Sequence, residues 1–241
     1  MSVVLQSFPL LLQGLILTLE ITAGGAVLAL VLAFLAGLAG TARSRILRAV
    51  SRVYVEFFRG SSALVLMFWF FFALPLIGFR FEAVAAAIIA LGLNVGAYGG
   101  EVVRGAILSI PPAQYEATIA LNMSPALRMR RVILPQAWAS MLPPFGNLLI
   151  ELLKATAVAA LITINELTFV GQQQRAATGE SLPIYTTVLF MYFVVAQVLI
   201  FGMRRLELRT ARSLGRAPAA RRGRRPALAG VGDGGGSGGV G

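Results

Sequence analysis

Two pairs of opposite charges stand inside long apolar stretches of the sequence, where ionisable side chains are rare. Glu101 precedes Arg104 by three positions, and Glu151 precedes Lys154 by the same interval. On a helix this spacing puts both members of a pair on one face, so each pair can neutralise itself as an ion bridge. The same groups can instead line a polar cavity, where Lys154 meets a carboxylate and Glu151 meets the cationic nitrogen of a zwitterion. Both interpretations stay open at this stage.

Uncharged polar residues near these pairs extend the hypothesis of a polar path. Asn94, Asn147 and Thr156 can add hydrogen bonds to a passing solute. The predicted substrate-path residues are therefore Asn94, Glu101, Asn147, Glu151, Lys154 and Thr156. Glu20 is a more isolated candidate in another apolar stretch, where it either joins this path or reaches towards the lipid interface.

The residues that the sequence lacks exclude most familiar kinds of catalysis. Cysteine and histidine are both absent, which removes disulfides, Cys/His metal sites, thiol nucleophiles and imidazole acid–base steps. The one lysine, Lys154, lies in the segment LLKATA without the glycines of a phosphate-binding loop. We therefore predict no catalytic residue, no metal ligand and no cofactor in this chain.

The elements that must position these groups follow from hydropathy. Hydrophobic residues make up 57% of the 241 residues and charged residues 13%, against about 25% charged residues in soluble domains. A spanning helix needs about 20 mainly apolar residues, and five stretches qualify. The sequence thus predicts an all-α membrane protein with five transmembrane helices. They cover residues 10–38, the segment between Arg59 and Arg80, and residues 83–108, 144–164 and 183–203.

Arginine is concentrated in alternate connections between these spans. Four arginines follow the first span and three follow the third, whereas one each follows the second and the fourth. Because positive residues accumulate on the cytoplasmic side, we expect the N-terminus outside and the C-terminus in the cytoplasm.

The third connection, residues 111–135, is long and has the character of structured chain. Good helix formers precede Asn122, a residue that tolerates a left-handed turn. Ser124 and Pro125 then suit the N-cap and the first position of a second helix, which Pro135 is expected to stop or kink. Two short helices at about a right angle would form a docking surface for a soluble partner. The alternative is an ordinary amphipathic connector lying on the bilayer.

Residues of this connection resemble the EAA loop of ABC-importer permeases, at matching spacing. Thr118 stands where the pattern has its second alanine, and Asn122 where it has glycine. The residues that the resemblance assigns to this ATPase-coupling loop are Gln114, Glu116, Ala117, Asn122, Val132, Leu134 and Pro135.

Other segments resemble the polar amino-acid uptake subgroup of these permeases. They are VEFFRG at residues 55–60, AYxxExxRG at 97–105, SIP at 109–111 and LKxT at 153–156. Together with the EAA loop they extend the resemblance over about residues 8–208. The whole is similar to a MetI-like permease of an ABC type I importer.

The resemblance implies a subunit that transports without catalysing. Its partners would be a cytoplasmic ABC ATPase dimer that binds ATP and magnesium, a second permease subunit, an extracytoplasmic solute-binding protein and the lipid bilayer. A heterodimer with a sister permease is favoured over a homodimer. Localisation would be the bacterial inner membrane, as a multi-pass protein.

Substrate is less constrained by the sequence. Residues 120–125 and 143–154 look similar to permeases assigned to ectoine and hydroxyectoine, which are zwitterions compatible with the paired charges. The alternative is an ordinary polar amino acid of the glutamine, histidine or arginine type. A membrane scaffold without a transport cycle is a further alternative, although it would not need a docking loop.

Two regions make up the predicted domain organisation. Residues 1–208 form the transmembrane permease domain, and residues 209–241 form a disordered, basic and glycine-rich cytoplasmic tail. Since the basic excess lies in this tail and in the positive connections, we expect no nucleic acid among the partners.

Overall fold

The computed structural model describes residues 2–213, and every regular element in that range is helical. This described range contains nine α-helices. They are α1 (Ser2–Gly40), α2 (Arg45–Gly60), α3 (Ala63–Phe68), α4 (Ala83–Leu108), α5 (Pro112–Ala120), α6 (Pro125–Arg128), α7 (Leu134–Ala155), α8 (Leu167–Thr178) and α9 (Ser181–Ser213). They are supplemented by π turns at Trp69–Ala73 and Met129–Ile133 and by 3₁₀ turns at Leu74–Ile77 and Thr156–Ile162.

Helices of membrane-spanning length and hydropathy confirm the predicted class. Over the described residues four helices qualify, and a bent pair raises the number to as many as five. The four are Val4–Gly40, Ala83–Leu108, Pro125–Ile162 and Ser181–Arg212, and the bent pair is Arg45–Gly60 with Ala63–Ile77.

The second predicted span is the one that departs most from expectation. Instead of one straight helix between Arg59 and Arg80, α2 and the segment 63–77 meet at an angle of 99°. Ser44 caps the start of α2 by accepting a hydrogen bond from the backbone N–H of Leu47. Five of the 16 residues of α2 are charged, which is why the hydropathy of the sequence placed the span after α2 rather than including it.

Glycine allows α1 and α4 to pack closely along their length. A side chain at Gly37 would place its Cβ 2.5 Å from Cβ of Val103 and 2.9 Å from the carbonyl oxygen of Gly100. Further along the same contact, a side chain at Gly99 would place its Cβ 2.6 Å from Cβ of Ala33. These values are shorter than any real contact, so the two helices approach at a separation that only glycine permits.

We expect Gly37→Ala to destabilise the bundle by about 1–3 kcal/mol, because the added methyl group overpacks the α1–α4 contact. Gly105→Ala is the matched control, since Gly105 lies in α4 with open space around it. Thermal unfolding of the purified protein in detergent measures the difference. A Gly37→Ala variant as stable as the Gly105→Ala variant would contradict the close approach.

The fourth span differs from expectation at its beginning. Pro135 does not end the preceding helix, and Pro125–Ile162 runs as one helical segment of 38 residues. A π turn at Met129–Ile133 comes directly before the proline, and the N–H of Leu134 donates to the carbonyl of Met129 across it. Because the ring of a proline clashes with the carbonyl four residues earlier in a regular α-helix, the wider turn accommodates Pro135. The prediction that Pro135 stops the second loop helix is therefore wrong, and the alternative of a local distortion at this proline corresponds to the π turn.

The short helix α8 is attached to the bundle through a fully buried carboxylate. Glu166 caps α8 by accepting hydrogen bonds at 2.8 Å from the N–H groups of both Thr168 and Phe169, and the hydroxyl of Tyr192 on α9 donates to it at 2.9 Å. Burial raises the pKa of Glu166, although the two backbone hydrogen bonds oppose that shift. On the α1 side, the hydroxyl of Thr18 accepts the N–H of Leu167 at 3.2 Å.

The C-terminal helix extends past the predicted domain boundary. Residues 209–213, which were assigned to a disordered tail, continue α9 to Ser213. The rest of that predicted tail, residues 214–241, lies outside the described residues.

Candidate functional site

The coupling loop, residues 111–135, forms the turn that its sequence predicts. Asn122 adopts the left-handed conformation, with φ of 50°, and so ends α5. The N–H of Met123 donates to the carbonyl of Thr118 at 3.0 Å, which closes the helix end. Ser124 then accepts the N–H of Leu127 at 3.4 Å and starts α6, with Pro125 in its first turn. Asparagine thus fills a position where the resembling pattern has glycine.

Three side chains anchor this loop to the spans. The hydroxyl of Tyr115 donates to the carbonyl of Ile107 at the end of α4, at 3.3 Å. Thr118 is buried, and Ile133 is fully buried in a cluster with Val103 and Ala137. Burial also raises the pKa of Tyr115, so the phenol stays protonated and able to donate.

The loop residues that match the EAA pattern include both anchored and exposed side chains. Val132 and Leu134 are half-buried against the cluster around Ile133. Gln114 is tied to the first turn of α7, because the side-chain amide of Gln136 donates to it at 3.2 Å. Glu116 and Ala117 are exposed, as are Ile119 and Leu121 with 59% and 73% of their surface accessible. The loop thus presents one carboxylate beside an apolar face, on a base fixed to α4 and α7.

The polar row of α7 lies in an open groove between α7 and α9. Asn147, Glu151 and Lys154 line it from α7, while Arg204 and Glu207 contribute from α9. Positions 147, 151 and 154 share one face of the helix, as their spacing predicted. All three side chains are exposed. The groove therefore contains charges of both signs at several levels along the helix pair.

Glu151 and Lys154 do not bridge each other. Within residues 2–213 the single ion pair closer than 4 Å joins Arg104 to Glu101, with an N–O distance of 2.7 Å. The guanidinium of Arg104 donates to both oxygens of Glu101, at 3.1 and 2.7 Å. Of the two ion bridges considered from the sequence, the structure contains only the one on α4.

Asn94 and Thr156 are engaged in local structure. The amide nitrogen of Asn94 donates to the carbonyls of Phe58 and Ser61, at 2.7 and 3.1 Å, and so holds the end of α2 at the bend. Thr156 is fully buried, and its hydroxyl donates to the carbonyl of Leu153 at 2.7 Å. Neither side chain lines the groove of Asn147. Glu20 lies elsewhere, in a groove between α1 and α8.

The polar residues of α4 lie on the side of that helix away from α1. Gly92, Gly96 and Gly99 face α1, where their nearest neighbours are side chains of residues 28–33. Asn94 and Glu101 are displaced from that glycine row by about half a helical turn. Glu101 thus lies opposite the contact with α1, whereas Cδ of Arg104 lies beside Gly40 at the end of α1, 3.1 Å from where a Cβ would stand.

The same arrangement holds on α7. Phe145 packs against Phe34 of α1, and Leu152 is the nearest neighbour of Gly25 on α1. Asn147 lies about half a turn away from these two residues, and Glu151 about a third of a turn. The polar row of α7 therefore faces the groove with α9, whereas Asn94 of α4 faces the end of α2.

Several residues of this site were missed by sequence reasoning. Tyr115 and Gln136 anchor the loop, and Arg204 and Glu207 complete the groove. Gln136 could have been found from its position directly after Leu134-Pro135. Hydropathy ends the fifth span at residue 203. Arg204 and Glu207 lie beyond that point, so the sequence places them in the cytoplasmic segment after the span rather than in a groove.

Long apolar helices, a groove with charges of both signs and an anchored loop with an exposed carboxylate are typical of a multi-pass membrane component of a transport system. The family comparison agrees with this class. The chain belongs to the family of binding-protein-dependent transport system inner membrane components, whose model matches residues 29–212.

Curated relatives cover most of the chain. A probable amino-acid ABC transporter permease protein, y4tF of Sinorhizobium fredii, is 43% identical over 201 residues, which are 81% of this chain and 84% of the relative. The glutamine transport system permease protein GlnP of Escherichia coli is 38% identical over 86% of this chain and 96% of its own. The L-cystine transport system permease protein TcyB of Bacillus subtilis is 35% identical over 88% and 91%.

Solved structures share the fold. A crystal structure of an amino acid ABC transporter with histidines has a TM-score of 0.79 at 29% identity, covering 85% of this chain and 96% of that one. The MetNI methionine ABC transporter has a TM-score of 0.73 at 24% identity, which supports the fold alone. The predicted MetI-like permease fold and the inner-membrane localisation are confirmed. The relatives and the first of these structures are named as amino-acid ABC transporter components.

Proposed function

We propose that the chain is the membrane-spanning permease subunit of an ATP-driven importer for a polar amino acid or an amino-acid-like zwitterion. One observation carries the proposal. Asn147, Glu151 and Lys154 form an exposed polar row on the same continuous helix that begins in the coupling loop. Movement of the loop is thereby connected directly to charged groups at membrane depth.

Unpaired charges at this depth need a polar surrounding. Ionisable groups within spans almost always face a bundle interior or a water-filled cavity rather than lipid. Glu151 and Lys154 are exposed in the single subunit and lie on the side away from α1. A second permease subunit facing the groove between α7 and α9 would enclose the polar row of α7 as an aqueous path. A heterodimer with a sister permease is our preferred arrangement.

The remaining partners are proposed from the position and the exposed face of the coupling loop. With the N-terminus outside, α5 and α6 lie in the cytoplasm, where the exposed face of Glu116, Ile119 and Leu121 docks on an ABC ATPase dimer. ATP and magnesium bind to that dimer. Closure of the dimer pulls the docked loops together, and the helices that start there reorient the path. A solute-binding protein delivers the substrate on the other side.

Substrate class is proposed from charge and from relatives. Glu151 and Lys154 offer opposite charges on one face, as a zwitterion requires, and Asn147 adds an amide. GlnP and TcyB are named for glutamine and cystine, which are polar amino acids. We therefore put a polar amino acid first. Ectoine and hydroxyectoine, suggested by residues 120–125 and 143–154, are the second class to be tested.

Uptake into proteoliposomes tests this function. The chain is co-purified with its permease partner and ATPase, reconstituted with the binding protein, and supplied with ATP. We expect accumulation of at least one compound from a panel of L-glutamine, L-arginine, L-histidine, L-cystine and ectoine. Omitting ATP or the binding protein should abolish it. An ATP-hydrolysing complex that accumulates none of the five would contradict the proposal.

A further inference from the structure

The C-terminal end of α9 carries three exposed arginines on one face. These residues, which we call the arginine row, are Arg205, Arg209 and Arg212, and their intervals of four and three positions place them on one side of the helix. Met203 packs against α7, and Glu207 lines the groove with that helix. Both lie on roughly the opposite side of α9. The arginine row therefore points away from the bundle.

The same face continues as an apolar stripe along the membrane-spanning part of α9. Val194, Val198 and Phe201 form this α9 stripe, and 42%, 65% and 57% of their surfaces are exposed. They precede Arg205 at intervals of four, three and four residues, so stripe and row share one side of the helix. The guanidinium carbon of Arg205 lies 4.3 Å from the centre of the Phe201 ring, in a cation–π arrangement. Phe201 thus joins the apolar stripe to the arginine row.

The length of α9 places the arginine row at the depth of lipid headgroups. Residues 183–203 contain no charge and, at 1.5 Å per residue, extend about 30 Å, which is the thickness of the hydrocarbon core. Arg205 then lies at the edge of the core, and Arg209 and Arg212 lie about 6 and 10 Å further out. The headgroup layer adds about 5–8 Å on each side. Long arginine side chains can therefore reach it from all three positions.

The charge of the arginine row is not neutralised within the described part of the chain. None of its three guanidinium groups takes part in an ion pair closer than 4 Å in residues 2–213. Glu207 is the one acidic residue of α9, and it shares its helix face with Arg204, three positions earlier, rather than with the row. The row therefore offers three positive charges to an anion that approaches from the lipid side.

We propose that the arginine row binds the headgroup phosphate of an anionic phospholipid, such as phosphatidylglycerol, in the cytoplasmic leaflet. The acyl chains of this lipid lie along the α9 stripe. Arginines directly after a span attract anionic lipids, and a guanidinium binds phosphate through paired hydrogen bonds. The leaflet follows from the proposed orientation with the C-terminus in the cytoplasm, and the site is independent of which solute is transported.

A fluorescent label beside the arginine row tests which lipid lies there. Since the chain contains no cysteine, Gly202→Cys provides a single labelling site, and Gly202 is exposed with open space around it. The full chain is labelled with bimane and reconstituted into phosphatidylcholine vesicles. These vesicles contain phosphatidylglycerol or phosphatidylcholine with a quenching nitroxide at the top of its acyl chain. We expect phosphatidylglycerol to bind beside the label at least about fivefold more tightly than phosphatidylcholine. Salt at about 1 M should reduce this preference to below about twofold.

Two triple variants test the arginine row itself in the labelled chain. Arg205→Gln with Arg209→Gln and Arg212→Gln should bring the two lipids to within about 1.5-fold of each other, because the attracting charges are removed. Lysine at the same three positions should keep most of the preference, since a phosphate is attracted by either cation. Quenching by phosphatidylcholine does not depend on the row, so it shows that each variant is inserted.

The charge-matched control changes arginines of the region after α9. Arg221→Gln, Arg222→Gln and Arg224→Gln together remove the same net charge at positions outside the described residues. This control should keep at least about half of the preference for phosphatidylglycerol, because the charges next to the label remain.

Four outcomes overturn the inference. The first is equal binding of both lipids beside the label in the chain with an intact arginine row. The second is a preference that survives in the glutamine variant, and the third is an equal loss of preference in the charge-matched control. The fourth arises after assembly with the permease partner and the ATPase. Weak quenching by both lipids in that complex would show that protein rather than lipid covers this face of α9.

Discussion

Glu116→Lys is expected to reduce substrate uptake by at least about tenfold while the protein still inserts into the membrane. Glu116 is the sole acidic residue of the coupling loop, which also contains three arginines. The substitution changes the net charge of the loop from +2 to +4. Like charges at a docking surface cost several kcal/mol, so a partner that accepts the native loop should reject the variant.

Uptake and ATP hydrolysis, measured on the same reconstituted complex, check this expectation. Because Glu116 is exposed and forms no ion pair within residues 2–213, its replacement should leave the fold and the membrane insertion intact. Glu180→Lys is the control, since Glu180 is an exposed glutamate in the connection between α8 and α9. Wild-type uptake by Glu116→Lys would contradict the assignment of the loop as the site that couples to the ATPase.

Replacing Glu151 and Lys154 together by leucine is expected to lower uptake by about 10–100-fold, because two charged contacts to a zwitterion are lost at once. Glu151 and Lys154 form no ion bridge with each other, so the double variant loses no such bridge. Both side chains are exposed, so their replacement creates no cavity in the core. Thermal stability should therefore change little, and the loss should appear in the KM and rate of uptake.

The control for this double variant is Gln172→Leu with Arg175→Leu. These two residues also lie three positions apart, exposed on α8 and away from the groove. Uptake by the control should stay within about twofold of wild type. Substrate affinity and specificity that persist in the Glu151/Lys154 variant would show that these charges do not contact the substrate.

Local signals in the sequence predicted most of the coupling loop. Asn122 and Ser124 determine the turn through their own backbone and side-chain preferences, which need no distant partner. Hydropathy likewise identified the long spans, since about 20 apolar residues are recognisable without knowing their neighbours. In these parts of the molecule, the residues that determine the local structure all lie within a short window of the sequence.

The features that were missed depend on contacts between distant residues. The continuity of the helix through Pro135 requires a π turn, and proline alone favours a break. Asn94 was predicted as a substrate ligand because its type allows it, yet the nearby end of α2 occupies its amide nitrogen. The absence of a Glu151–Lys154 bridge depends on rotamers that spacing does not determine.

The domain boundary and the second span illustrate the same limit. Charge on α2 separates it from the apolar segment that follows, so hydropathy could not show that both belong to one bent unit. At the other end, arginines after residue 203 indicated a tail, although helix propensity carries α9 on to Ser213. The ends of such spans depend both on the composition of a segment and on whether the helix continues through it.

The unbroken helix from Pro125 to Ile162 has a mechanical consequence. A fulcrum at Phe145, whose ring contacts Phe34 of α1, would divide this helix into two arms. At 1.5 Å per residue the arm from Pro125 to Phe145 is about 30 Å long, and the arm from Phe145 to Lys154 about 14 Å. Rotation about this fulcrum would roughly halve the displacement that reaches Lys154 and roughly double the force, so that a large stroke at the ATPase becomes a short, strong adjustment at the charged groove.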